Sequence, residues 1–146
     1  KKTATGPVTK VYLNNEGSFT DSGFTIPGLE DGIVAPADYD SDGDIDFLVA
    51  GTVDGNPQTS LVKNLGSGVF EPVLFSFAGF GMAAASWGDA NADGKLDVFI
   101  TGLDVDGSID AVLYLNQGSD SFVASESSFQ GVINGTVAFT DFDLDT

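Results

Sequence analysis

The 146-residue chain contains no cysteine and no histidine. Without cysteine there are no disulfides, no thiolate zinc sites and no cysteine nucleophiles. Without histidine the usual general base and the usual transition-metal ligand are gone as well. Cationic side chains are also scarce. Five Lys and Arg face 22 Asp and Glu, and the resulting net charge of −17 disfavours nucleic-acid phosphates and anionic lipid headgroups as partners. No apolar run approaches the length needed to cross a bilayer, and Lys1-Lys2-Thr3 is not followed by the apolar stretch of a signal peptide. The expectation is no nucleic acid, no membrane insertion, and a targeting segment that is missing or already removed. What is present is a 42% hydrophobic fraction, enough for the core of one ordinary domain, with 19 Gly and 12 Phe. Many glycines with aromatic-rich apolar stretches describe tight turns between short strands, so the predicted class is all-β.

The chain repeats itself. Asp38-Tyr39-Asp40-Ser41-Asp42-Gly43-Asp44-Ile45-Asp46 recurs 51 residues later as Asp89-Ala90-Asn91-Ala92-Asp93-Gly94-Lys95-Leu96-Asp97. It begins again, after 52 more, at Asp141-Phe142-Asp143-Leu144-Asp145. A second landmark keeps the same beat: Asn14, Asn64 and Asn116 each end an apolar stretch and lead through glycine to Phe19, Phe70 and Phe122. Two landmarks in phase mark a structural repeat of about 50 residues.

Within one period, four apolar stretches bounded by turn residues read as strands. They are Ile33 to Ala37, Asp46 to Gly51, Ser60 to Asn64 and Phe70 to Phe77, then Ala83 to Trp87, Asp97 to Gly102, Ala111 to Asn116 and Phe122 to Phe129. Phe47-Leu48-Val49-Ala50 and Val98-Phe99-Ile100-Thr101 are apolar almost throughout, the mark of a strand buried on both faces. Four short strands per period is the size of a β-propeller blade of four antiparallel strands. The predicted organisation is the end of a blade over 1–31, full blades over 32–79 and 80–131, and the start of another over 132–146. That gives eleven strands, fewer than three blades, which predicts either part of a longer propeller or self-association of copies that complete the ring.

The aspartate windows hold 11 of the 22 acidic residues. Such crowding of like charge is costly without a cation. Oxygens at loop positions 1, 3, 5 and 9, with a main-chain carbonyl from position 7 and a bend at Gly in position 6, make a hard oxygen cage of the kind calcium prefers to magnesium. The candidate ligands are Asp38, Asp40, Asp42 and Asp46 with the carbonyl of Asp44, then Asp89, Asn91, Asp93 and Asp97 with the carbonyl of Lys95. The third window offers Asp141, Asp143 and Asp145, with Thr146 where glycine is expected. Neutral Asn91 predicts a weaker second site. Position 12 is Val49 or Ile100, inside a strand, so the loop is not an EF-hand. Asp104-Val105-Asp106-Gly107-Ser108-Ile109-Asp110 lacks the spacing and reads as a hairpin turn.

The stretch Phe80-Gly81-Met82-Ala83-Ala84-Ala85-Ser86-Trp87-Gly88-Asp89-Ala90-Asn91-Ala92-Asp93-Gly94 resembles the FG-GAP repeat of integrin α-subunit propellers and of bacterial VCBS-type surface proteins. That resemblance implies a propeller with calcium loops between first and second strands, in secreted or cell-surface proteins. The Gly-Ala-Pro element of such repeats is degenerate here, as Ala50-Gly51-Thr52 and Thr101-Gly102-Leu103.

The leading functional expectation is a calcium-rigidified, non-catalytic module for adhesion or for recognition of a protein or glycan. Trp87 and Tyr39 are the aromatics that could stack on a sugar, against the alternative that Trp87 packs between blades. Phe70, Phe75, Phe77 and Phe122 read as core, and Asn134-Gly135-Thr136 matches a glycosylation sequon. The competing readings are a propeller domain of a polysaccharide lyase or hydrolase, and a purely structural propeller fragment. Against an enzyme, Glu16, Glu30, Glu71 and Glu126 share no motif and the loop carboxylates are assigned to metal.

Overall fold

The computed structural model describes residues 6–140. Ten strands and no helix are found among them. A hairpin of β1 (Thr9–Asn15) and β2 (Ser18–Ile26) is followed by two four-stranded antiparallel sheets. The first contains β3 (Glu30–Ala37), β4 (Asp46–Val53), β5 (Asn56–Asn64) and β6 (Phe70–Pro72). The second contains β7 (Gly81–Gly88), β8 (Asp97–Leu103), β9 (Ile109–Gly118) and β10 (Ser121–Ala124). Each strand pairs with the next in sequence, so both sheets are four-stranded meanders of the propeller-blade kind.

The turns explain the meander. Asp54 (φ 48°) and Gly55 (φ 81°) form a two-residue link between β4 and β5, and two consecutive left-handed residues match the twist of the strands they join. The β8–β9 link is the Asp104 segment, a hairpin turn as its sequence predicts. Asp104 Oδ1 accepts from the amides of Asp106 (2.9 Å) and Ser108 (2.8 Å), and the Asp104 amide donates to the Ser108 carbonyl.

The fourth strands are shorter than predicted. β6 stops at Pro72, beyond which only the Val73 amide reaches the Leu61 carbonyl; β10 stops at Ala124, beyond which the Ser125 amide reaches Leu113. The aromatic residues after Pro72 leave the ladder to fill the space between the blades. Phe75 and Phe77 lie with ring centroids 5.6 Å and 5.2 Å from Phe122, and Phe77 packs 5.0 Å from Tyr114. They are apolar because they pack, not because they pair.

The core sits between the two blades, where β3 packs against β7. Leu48, Ala50 and Leu61 share one buried cluster with Val98, Ile100 and Tyr114, joined by Phe77 and Phe80 from the connecting segment. Full burial of side chains of this size contributes about 1.5–3 kcal/mol each. In both blades the first strand bulges near its start, between Glu30 and Ile33 and between Gly81 and Ala84. Gly51 and Gly102 face these bulges so closely that a Cβ on Gly102 would meet the Gly81 carbonyl at 2.7 Å.

The hairpin joins the first blade through Phe24, 5.7 Å from Phe70, and through a bond from the Leu29 amide to Thr9 Oγ1. The Phe80 amide bonds to Thr59 Oγ1 in the same way one period later. At the other end, residues 132–140 run beside the second blade without forming a strand. Val132 is held by Thr101, and Phe139 lies against Gly88. In both full blades the first strand pairs only with the second strand, which follows the aspartate loop. The predicted third loop, with Asp141, Asp143 and Asp145, lies outside the described residues.

Candidate metal centre

Loop 1, residues 38–46, joins β3 to β4, and loop 2, residues 89–97, joins β7 to β8. The two loops share one backbone path. Position 4 is left-handed in both, at Ser41 (φ 61°) and Ala92 (φ 57°), and so is position 6, at Gly43 (φ 94°) and Gly94 (φ 82°). The first aspartate organises the turn. Asp38 accepts from the amides of Asp42 and Gly43, both at 3.0 Å, and Asp89 accepts from those of Asp93 (3.1 Å) and Gly94 (2.8 Å).

This path brings Asp38, Asp40 and Asp42 together, each offering a carboxylate oxygen within 4.8 Å of the others. Oxygens that contact one calcium ion at 2.3–2.6 Å can lie no farther apart than about 5 Å, so the trio can share an ion. One atom of the trio lacks a partner. Asp40 Oδ1 is buried with no hydrogen bond among the described residues, while Asp40 Oδ2 is paired with Lys63 Nζ. A buried carboxylate oxygen without a donor is unfavourable, and a cation is the group that would satisfy it. Residues and donor set therefore fit a hard divalent ion. Loop 2 presents Asp89, Asn91 and Asp93 along the same turn, with Asn91 Oδ1 accepting from the Asp93 amide at 3.0 Å.

The position-9 aspartates stand apart from the trio. Asp46 and Asp97 are fully buried (0% exposed). Asp46 accepts from the amides of Tyr39 (3.2 Å) and Asn64 (2.8 Å), and Asp97 accepts from those of Ala90 (2.9 Å) and Asn116 (2.8 Å). They tie the start of each loop to the third strand. Carboxylate oxygens keep further lone pairs after accepting one bond, so a contact to a cation stays chemically open. The Asn landmark belongs to this device. Asn64 Nδ2 donates to the Ile45 carbonyl and Asn116 Nδ2 to that of Leu96, while their Oδ1 atoms accept from Gly66 and Gly118.

Residues 38–100 match the family model of the FG-GAP-like repeat. The chain carries an FG-GAP-type repeat. No curated protein and no solved structure matches the chain. The matched stretch runs from the first residue of loop 1 through loop 2 and into β8, and so spans both aspartate loops and the strands between them, β4 to β7.

Electrostatics separates the carboxylates of this repeat. Burial pushes the Asp46 carboxyl above its ordinary range, against the pull of its two amide donors. The Lys95 ammonium, 2.7 Å from Asp93 Oδ2, holds Asp93 below the ordinary range. Hydrogen bonding to Asp40 raises the Lys63 ammonium.

The aromatics resolve in favour of packing. Tyr39 is buried and stacked at 6.0 Å on Trp87, whose Nε1 donates to the Ala35 carbonyl at 3.0 Å across the blade boundary. Trp87 is half-buried, packed against the core through this contact. Asn134 of the sequon is exposed. Two residues beside loop 1 escape a reading of the repeat alone: Lys63, and Asp120 of the β9–β10 turn, which accepts from the Tyr39 hydroxyl. Both lie outside the aspartate windows. Their only signal is that Lys63 and Lys95 are the sole cationic residues across the two blades.

Proposed function

We propose that the chain is a calcium-stabilised interaction module of an extracellular, propeller-type protein, with no catalytic role of its own. The observation that carries the reading is the Asp38, Asp40 and Asp42 trio with its buried, partnerless Asp40 oxygen. Asp38, Asp40 and Asp42 would hold the ion of loop 1, with the Asp44 carbonyl; Asp89, Asn91, Asp93 and the Lys95 carbonyl would hold that of loop 2. Asp46 and Asp97 brace the loops from behind. The bound ion would supply positive charge that lets crowded carboxylates coexist and fixes the turn between first and second strands. Extracellular calcium fills sites with dissociation constants on the order of 10⁻⁴ to 10⁻³ M, which is why a module of this kind belongs outside the cell or at its surface.

A recognition role for a protein or glycan fits a scaffold whose polar chemistry is invested in its loops. The four glutamates are exposed on four separate parts of the chain and form no pair for acid and base work. The decisive experiment is thermal unfolding with calcium and with a chelator, alongside a turnover screen on polysaccharides. Millimolar calcium is expected to raise Tm by several degrees, with no turnover. Indifference of Tm to both calcium and chelator would sink the metal assignment, and turnover abolished by changing one glutamate would sink the non-catalytic one.

A further inference from the structure

Loop 1 differs from loop 2 in one respect that the shared backbone path conceals: it is built into the joint between the blades. Tyr39, between ligand candidates Asp38 and Asp40, stacks on Trp87 of the second blade. Its hydroxyl donates to Asp120 and its carbonyl accepts from Asn116 Nδ2 at 3.0 Å, both from the second blade. Ala90 stands at the matching place in loop 2, is exposed, and makes no such contact among the described residues. The lysines differ in the same way. Lys95 pairs with Asp93 inside its own loop. Lys63, on β5 of the first blade, lies between Asp40 of loop 1, with which it is paired, and Asp120 of the second blade, 3.8 Å away.

Resting on the calcium reading of loop 1, we propose that Lys63 is a built-in counter-ion that passes from Asp40 to Asp120 when the loop takes calcium, so that filling loop 1 tightens the joint between the blades. The ammonium now neutralises one oxygen of Asp40 while the other is buried without a partner. A divalent ion shared by Asp38, Asp40 and Asp42 satisfies that second oxygen and places two positive charges beside Lys63. Like charges at this range repel strongly in a half-buried setting. The carboxylate already within reach is that of Asp120, and its distance requires only a side-chain rotation. Asp120 then holds Lys63 and the Tyr39 hydroxyl together, one from β5 and one from loop 1. By linkage, whatever tightens the joint on calcium binding must also tighten calcium binding when the joint is closed.

The test uses the full chain in a D93A background, which weakens loop 2, and follows loop 1 through the fluorescence of Trp87, the single tryptophan. Removing the competing cation with K63M is expected to lower the calcium midpoint by about fivefold or more, the smallest effect usual for coupled sites. D120N is expected to raise the midpoint when Lys63 is present and to leave it within about twofold in the K63M background. A K63M midpoint equal to that of the parent overturns the hand-over, and so does a D120N effect of equal size in both backgrounds, since Asp120 would then act by its own charge. Should K63M not fold, the Asp120 carboxyl carbon of the unsubstituted chain is expected to shift in NMR spectra in step with Trp87 as calcium is added, and a stationary signal overturns the proposal. No calcium response of any kind in the unsubstituted chain overturns both this inference and the metal assignment. A response with an unaltered K63M midpoint overturns this inference alone.

Discussion

The aspartates of the two loops serve two different purposes, and single substitutions separate them. Asp97 is buried and accepts two backbone amides, one from the loop and one from β9. Asp97→Ala leaves both donors without partners, and bonds to a charged acceptor are worth about 1.5–3 kcal/mol each, so a loss of about 3 to 6 kcal/mol is expected in chelator. Asp42 is exposed. Asp42→Ala should cost under about 1 kcal/mol in chelator and instead remove the share of calcium stabilisation that belongs to loop 1. Urea unfolding with and without calcium reads both, and equal losses in chelator would refute the division. Acid titration gives a further contrast. In chelator, the buried Asp46 carboxyl is expected to protonate at higher pH than Asp93, which Lys95 holds down. The signs of linkage then oppose each other. The contribution of Asp46 is present below the unfolded carboxyl pKa and lost as pH rises through its raised folded value; that of Asp93 is present above the unfolded value and lost as pH falls through its lowered one. Carboxyl-carbon NMR shifts measure the order directly, and Asp93 titrating at the higher pH would refute it.

At the scale of strands and loops, the sites where a side chain is forbidden differ from those where it is merely strained. Gly102 faces the bulge of β7, and a methyl group there would meet the Gly81 carbonyl at 2.7 Å and the Ala83 Cα at 3.1 Å. Overpacking of this kind costs about 1–3 kcal/mol, and Gly102→Ala should lose that much in urea unfolding. Ala92 carries a left-handed φ of 57°, a conformation that costs a non-glycine residue about 1–2 kcal/mol. Ala92→Gly should therefore be neutral or stabilising in the same assay, and a loss above about 1 kcal/mol would show that the Ala92 methyl packs in a way its exposure denies. The Gly of the degenerate Gly-Ala-Pro element is thus kept for backbone proximity. Its partner, the bulge in the first strand, is invisible to strand patterning because the bulge changes register without changing composition.

Across the whole molecule, the balance is between apolar surface and charge. Two four-stranded sheets and a hairpin, among the described residues, leave Tyr12 and Phe19 of the hairpin and Leu74 of the connecting segment exposed. Exposed apolar side chains and open strand edges favour association, whereas a net charge of −17 opposes it over distances that salt shortens to about 8–10 Å. We expect light scattering to report self-association in calcium-containing buffer at physiological salt, weaker at low salt with chelator. A compact, fully folded monomer under the first condition would show that the apolar term is smaller than the repulsion.

The sequence by itself determined the period, the all-β class, the order of strands in each blade and the place of both loops, because each is a local property. Apolar stretches, turn residues and the phase of Asp and Asn all repeat along the chain and need no knowledge of distant contacts. It also placed Phe75, Phe77 and Phe122 in the core. Tertiary structure decided what lies between the repeats. It ended β6 at Pro72 by drawing Phe75 and Phe77 away from the ladder, and turned Asp46 and Asp97 inward onto Asn64 and Asn116. It also took Tyr39 and Trp87 into the blade joint, and set Lys63 within reach of both Asp40 and Asp120. These are contacts between residues 18 to 57 positions apart, across or between sheets. A repeat pattern records what every blade has in common, while the joint between these two blades also draws on residues that do not repeat, Tyr39, Lys63 and Trp87 among them.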